Sequence, residues 1–128
     1  MVTYDAANFF YLHLTRDEES AQNVLRLSVR DNLAFSEPLP GGFVPLGDAT
    51  RVFLKVRKEV FRLRFSYSLD GRSWRDAGGE FDGSHLCDEA YRELRSDGHT
   101  GAFVGMACTD LTGRRQPAAF RSFSYRGE

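Results

Sequence analysis

Carboxylates, imidazoles and thiols are the side chains from which polar active centres are built, and in this chain they fall in few places. Acidic residues cluster as Asp17-Glu18-Glu19 and Asp88-Glu89. Acid–base cleavage of an acetal bond needs two carboxyl groups on opposed elements flanking that bond. Each cluster here sits within one local segment, where acidic residues are ordinary solvated surface, so no catalytic pair is expected. The run His85-Leu86-Cys87-Asp88 offers three ligand types, but zinc sites repeat a Cys or His pair at a second place. No second pair follows, so no metal or cofactor is expected. His13, flanked by Leu12 and Leu14, reads as an outward-facing strand residue. There is no Gly-x-Ser-x-Gly, and neither Cys87 nor Cys108 opens an electropositive helix. Gly101-Ala102-Phe103-Val104-Gly105 lies inside a strand pattern and is no phosphate loop. The one tryptophan, Trp74, either packs beneath a turn or offers a ring face for stacking on a sugar.

The elements that must position these residues show themselves by period-two alternation. Leu25, Leu27 and Val29 oppose Arg26, Ser28 and Arg30; Val52, Leu54 and Val56 oppose Phe53, Lys55 and Arg57; Phe61, Leu63, Phe65 and Tyr67 oppose Arg62, Arg64 and Ser66. These are half-buried antiparallel strands. Less strict candidates are Phe9 to Thr15, Phe43 to Leu46, Ala102 to Cys108 and Phe120 to Arg126. Lys58-Glu59 reads as a tight link, and Asp70-Gly71 as a two-residue hairpin turn, giving a meander from Arg51 to about Asp76. Ser36 to Gly42, with Pro38, Pro40 and adjacent glycines, reads as a loop. Only Ser84 to Leu94 has helical spacing, with Ser84 as a candidate N-cap. Seven strands with turns between them argue for an all-β antiparallel sandwich with one short helix.

Composition limits the partners. The 128 residues suit a single domain, 1–128, and 41% hydrophobic content with eleven Phe supplies a core. A net charge of −1 gives no electrostatic case for nucleic acid or an anionic membrane. Fifteen arginines against Lys55 and Lys58 fit a coding bias toward Arg. Two cysteines make no disulfide framework, whether or not Cys87 and Cys108 bridge. The first residues lack the basic start of a signal peptide, so a cytoplasmic location is expected.

Several segments carry a family resemblance. Ser66-Tyr67-Ser68-Leu69-Asp70-Gly71-Arg72-Ser73-Trp74 resembles a hairpin motif of β-propeller and jelly-roll proteins of carbohydrate metabolism. Tyr4-Asp5-Ala6-Ala7-Asn8-Phe9-Phe10-Tyr11-Leu12-His13-Leu14-Thr15, followed by Asp17-Glu18-Glu19, is similar to the Tyr-x-x-x-Asn-Phe-Tyr-Tyr-Leu-His-Val-Thr-x-Asp-Glu-Glu run in the C-terminal domain of family-43 glycoside hydrolases, the β-xylosidases. Ser66 to Trp74, Thr100 to Met106 continuing to Asp110-Leu111, and Ala118 to Tyr125 match that domain in the same order.

The resemblance implies a concanavalin A-like β-sandwich, a jelly roll, ancillary to a five-bladed catalytic β-propeller that hydrolyses xylosides or arabinosides with inversion. It implies that a loop of the sandwich reaches the rim of the active-site pocket, and it assigns the rim position to His99, where the family carries Phe. In the last strand Ala119, Arg121 and Ser122 stand where the family has Asp, Asp and Tyr. The family's sandwich also has strands before the Tyr-x-x-x-Asn segment. The expectation is therefore a sandwich lacking its N-terminal strands, with open sheet edges that invite self-association or strand addition. Its partners would be a catalytic propeller domain or chain and xylo-oligosaccharide. The alternative is a free-standing carbohydrate-binding module stacking sugar on Trp74, Tyr91 or Phe81.

Overall fold

The computed structural model describes residues 1–87 and 101–127. Among the described residues, nine strands form two antiparallel sheets: β1 (Val2–Asp5), β2 (Asn8–Asp17), β3 (Gln22–Asp31), β4 (Ala34–Ser36), β5 (Val44–Gly47), β6 (Phe53–Glu59), β7 (Arg62–Ser68), β8 (Arg75–Asp82) and β9 (Phe103–Val104). The larger sheet runs β4-β3-β2-β1-β9, with β5 paired to β3; the smaller runs β6-β7-β8. Because β2 holds one edge of β3, β4 and β5 share the other, against Val29 to Asp31 and Asn23 to Leu25 respectively.

The alternation seen in the sequence is the alternation of burial. Val2 and Tyr4, Phe10 and Leu12, and Leu25, Leu27 and Val29 point inward from the larger sheet, to meet Leu63, Phe65, Tyr67 and Ala77 from the smaller. Phe10 lies between the layers, its ring centroid 5.9 Å from Phe65 and 6.2 Å from Phe81. Leu39, Leu46 and Leu86 close the core from outside these strands' centres. Six strands face three, and inward-facing residues near the limits of the overlap stay open: Leu14 is 39% exposed and Leu54 42%.

Several turns differ from their sequence reading. The β6–β7 link is Val60-Phe61, two residues beyond Lys58-Glu59, because Glu59 is already paired with Arg62. Val60 takes φ 53° there, an unfavourable region for a β-branched residue. Asp70-Gly71 is no two-residue turn: β7 ends at Ser68 and β8 begins at Arg75. Only Gly71 of the two has positive φ, because Asp70 uses its carboxylate to hold a wider loop. Register between β7 and β8 shifts between the Arg64–Glu80 and Ser66–Asp76 pairs, and Gly78 sits in that bulge at φ +93°. A Cβ there would come within 2.7 Å of Leu39, so this glycine is required twice over.

β1, β4 and β8 were not separate strands in the sequence reading, being too short or too polar to alternate. Conversely, Ala102 to Cys108 supplies only Phe103–Val104, extended by mutual backbone bonds of Met1 and Gly105. Phe120 to Arg126 is no strand: no backbone hydrogen bond joins residues 117–127 to any described residue. Alternation makes a strand only where the chain also runs alongside an edge in register to pair with it. No helix occurs among the described residues. The Ser84 N–H donates to Asp82 at 2.9 Å, and most of the expected helix that Ser84 would cap, residues 88–94, lies outside the described residues.

Candidate functional site

The residues singled out by their chemistry do not converge. Asp17 accepts from the Ser20 hydroxyl and N–H and pairs with Arg26 at 2.9 Å; its Ser20 bonds, ahead of the Arg26 contact, hold its carboxyl below the usual range. Arg26 also reaches Glu37 at 3.0 Å and lies 5.3 Å from the Phe43 ring centroid. This bound cluster fastens the β2–β3 hairpin to the loop before β5. Asp88 and Glu89 lie outside the described residues.

In the loop between β7 and β8, Asp70 accepts from the Ser73 and Arg72 N–H groups and the Ser68 hydroxyl, at 2.7, 2.8 and 2.8 Å. Those bonds, Ser73 first, drive its pKa far down. Asp82 and Asp110 are lowered in the same way, chiefly by the Ser84 N–H and the Thr112 hydroxyl. A general acid needs the opposite shift. These carboxylates behave as turn caps.

His85 is half-enclosed beside Phe10, with centroids 5.1 Å apart, and its Nδ1 lies 3.9 Å from Asp31. Cys87 donates to the Ser84 carbonyl, and both cysteines are free thiols. No group of three or more metal-ligating side chains gathers among the described residues. His13 stacks on Tyr11 at 4.6 Å on the outer side of β2. Trp74, 38% exposed, lies just before β8 on the outer side of the smaller sheet, with the Lys55 ammonium 3.7 Å from its ring centroid. Phe81 packs into the core against Phe10 and Phe65. His99 and Tyr91 lie outside the described residues.

Two features were not visible in the sequence. The first is Asn8, wholly buried. Its amide donates to Asp5 at 2.9 Å and its carbonyl accepts the Asn32 N–H at 2.7 Å, so one side chain ties the β1–β2 turn to the β3–β4 turn. The second is a row across the outer side of the larger sheet. Directly paired residues share a face, and the registers Phe35↔Arg30, Arg30↔Phe9, Phe9↔Thr3 and Thr3↔Phe103 place these five side by side on five successive strands. Phe35 is 62% exposed and Phe103 52%. The pairings span the chain, so no local pattern announces the row.

With this geometry in hand, the chain can be set against known proteins. Residues 1–126 match the family described as the beta xylosidase C-terminal concanavalin A-like domain. The chain is 35% identical over 124 residues to a beta-xylosidase of Bacillus subtilis, covering 96% of itself and 22% of that protein. It is 31% identical to xylosidase/arabinosidase 43B of Humicola insolens, covering 96% of itself and 23% of that protein. Among solved structures, it superposes on xylan beta-1,4-xylosidase from Bacillus halodurans with TM-score 0.76 and 29% identity, over 88% of this chain and 21% of that one. The chain thus spans about a fifth of the length of the relatives it matches.

Proposed function

This chain belongs to the family of β-xylosidase C-terminal concanavalin A-like domains, and from that premise we propose that it is a non-catalytic sandwich serving a xylosidase-type catalytic domain. The carrying observation is one of proportion: the match takes 96% of this chain but 22% of the Bacillus subtilis relative. Its work is to dock on a catalytic β-propeller and shape the entrance of a xyloside pocket through the loop from Asp97 to Thr100, with His99 at the rim.

Sheet edges support docking as well. β6 and β8 each lack a second neighbour among the described residues, and unpaired edges recruit strands from another polypeptide or a second copy. The test is kinetic: a matching propeller lacking its sandwich gains xylosidase activity when this chain is added. Unchanged kcat and KM would count against the proposal.

A second reading, a carbohydrate-binding module, is favoured by one observation, the exposed phenylalanines on the outer side of the larger sheet. Retained binding of xylan by the isolated chain supports it, and Trp74→Ala tests whether that ring takes part.

A further inference from the structure

We infer that the row Phe35–Arg30–Phe9–Thr3–Phe103 is a binding face for an extended, neutral, β-linked pyranose chain of the xylan type. The inference rests on the reading of the chain as a carbohydrate-associated module and assigns it a site. Three aromatic side chains occupy alternate strands, β4, β2 and β9 being separated by β3 and β1. Strands lie about 4.8 Å apart, so neighbouring members of the trio stand on the order of 10 Å apart along the row. That is the spacing of every second sugar in an extended β-linked chain, so the row offers one ring for each alternate residue.

Aromatic faces suit the axial C–H surfaces of pyranoses, which are apolar and uncharged. The side chains between the rings are polar and of the right size for hydroxyl groups. Arg30 uses one guanidinium N–H on the Ala6 carbonyl, at 3.2 Å, and has further donors in its planar fork. Thr3 brings a hydroxyl, already bonded to the Asp5 carbonyl at 3.0 Å. Sheet twist turns each strand by roughly 20–25° relative to the next, so the rings follow a spiral. A polysaccharide that winds slowly fits such a surface better than a flat crystalline one. The chain's near-zero net charge places no field against a neutral ligand.

The test is titration calorimetry of the full 128-residue chain with linear xylo-oligosaccharides from the disaccharide to the hexasaccharide. Circular dichroism melts accompany each variant. The expected result is affinity that climbs with length to the pentasaccharide, which spans three rings, and then levels. Phe35→Ala and Phe103→Ala, both at exposed positions, each weaken pentasaccharide binding about tenfold and leave the trisaccharide nearly unchanged, while Trp74→Ala on the opposite sheet has no effect. Binding that survives both phenylalanine substitutions and is lost in Trp74→Ala overturns the row but keeps the carbohydrate reading. No binding by the wild-type chain overturns the row as a sugar site, whether or not propeller stimulation is seen. Loss of propeller stimulation in Phe35→Ala and Phe103→Ala without sugar binding would make the face a protein-docking surface instead.

Discussion

Asn8 shows how much one side chain can carry. Its position in the Tyr-x-x-x-Asn run was plain in the sequence, but its work was not, because the Asn32 N–H it satisfies lies 24 residues away. Replacing it by Ala strips partners from Asp5 and from the Asn32 N–H of the second turn. A loss of about 2–3 kcal/mol is expected, from a lost buried bond network and the donor left unpaired, measured as a lower urea midpoint with unchanged slope. Val60 acts in the other direction. It is 75% exposed and held at φ 53°, where a β-branched residue costs about 1–2 kcal/mol relative to Gly. Val60→Gly is expected to raise the melting temperature by about 4 °C; a fall would show that Val60 makes a contact worth more than its strain.

At the level of elements, the alternating strands were legible wherever the alternation also divided core from solvent. Leu25, Leu27 and Val29 were read as one face and are one buried face. What failed was turn position and pairing. The hairpin at Asp70 was expected from its sequence, yet the side-chain bonds to Ser73, Arg72 and Ser68 hold a loop from residue 69 to 74 rather than a two-residue turn. Those bonds stabilise the ionised carboxylate, so Asp70 is held below its ordinary 3.8 in the folded state. With the folded pKa depressed, this contribution is fully present above the unfolded value and fades as pH falls below it. Asp70→Ala is accordingly expected to lower the melting temperature by a few degrees at pH 7 and to lose less stability than wild type between pH 4 and pH 2. Melting curves across that range check it, and parallel acid limbs would contradict it.

Across elements, Phe120 to Arg126 marks where sequence patterning stops being informative. Its pattern is a looser strand alternation, and Phe120, Phe123 and Tyr125 are exposed at 52, 49 and 71%. Pairing depends on the path that brings a segment to an edge, and residues 117–127 bond to no described backbone. The outer row of the larger sheet was illegible for the same reason in reverse: Phe35, Phe9 and Phe103 become neighbours only once four registers are set.

For the whole molecule, fold class and family were legible, because alternation and four ordered motifs both depend on nearby residues. The imbalance of six strands against three among the described residues was not, since it depends on how separated segments layer. It leaves Leu14 and Leu54 partly open at the core margin and the edges of β6 and β8 unpaired among the described residues. Concentration-dependent association is expected from those edges, tempered on β6 by the exposed Lys55, Arg57 and Lys58. Light scattering across a concentration series reads it; a monomer at every concentration would show that the edges are guarded.

The same view sets the central claim, that the chemistry resides in a partner and not in this chain. It is tested most directly by the rate of aryl-xyloside hydrolysis for the chain alone, for a matching catalytic propeller alone, and for the two mixed. No turnover by the chain and a higher kcat/KM for the mixture than for the propeller are expected. Hydrolysis by the chain alone, or a mixture no faster than the propeller, would contradict the claim.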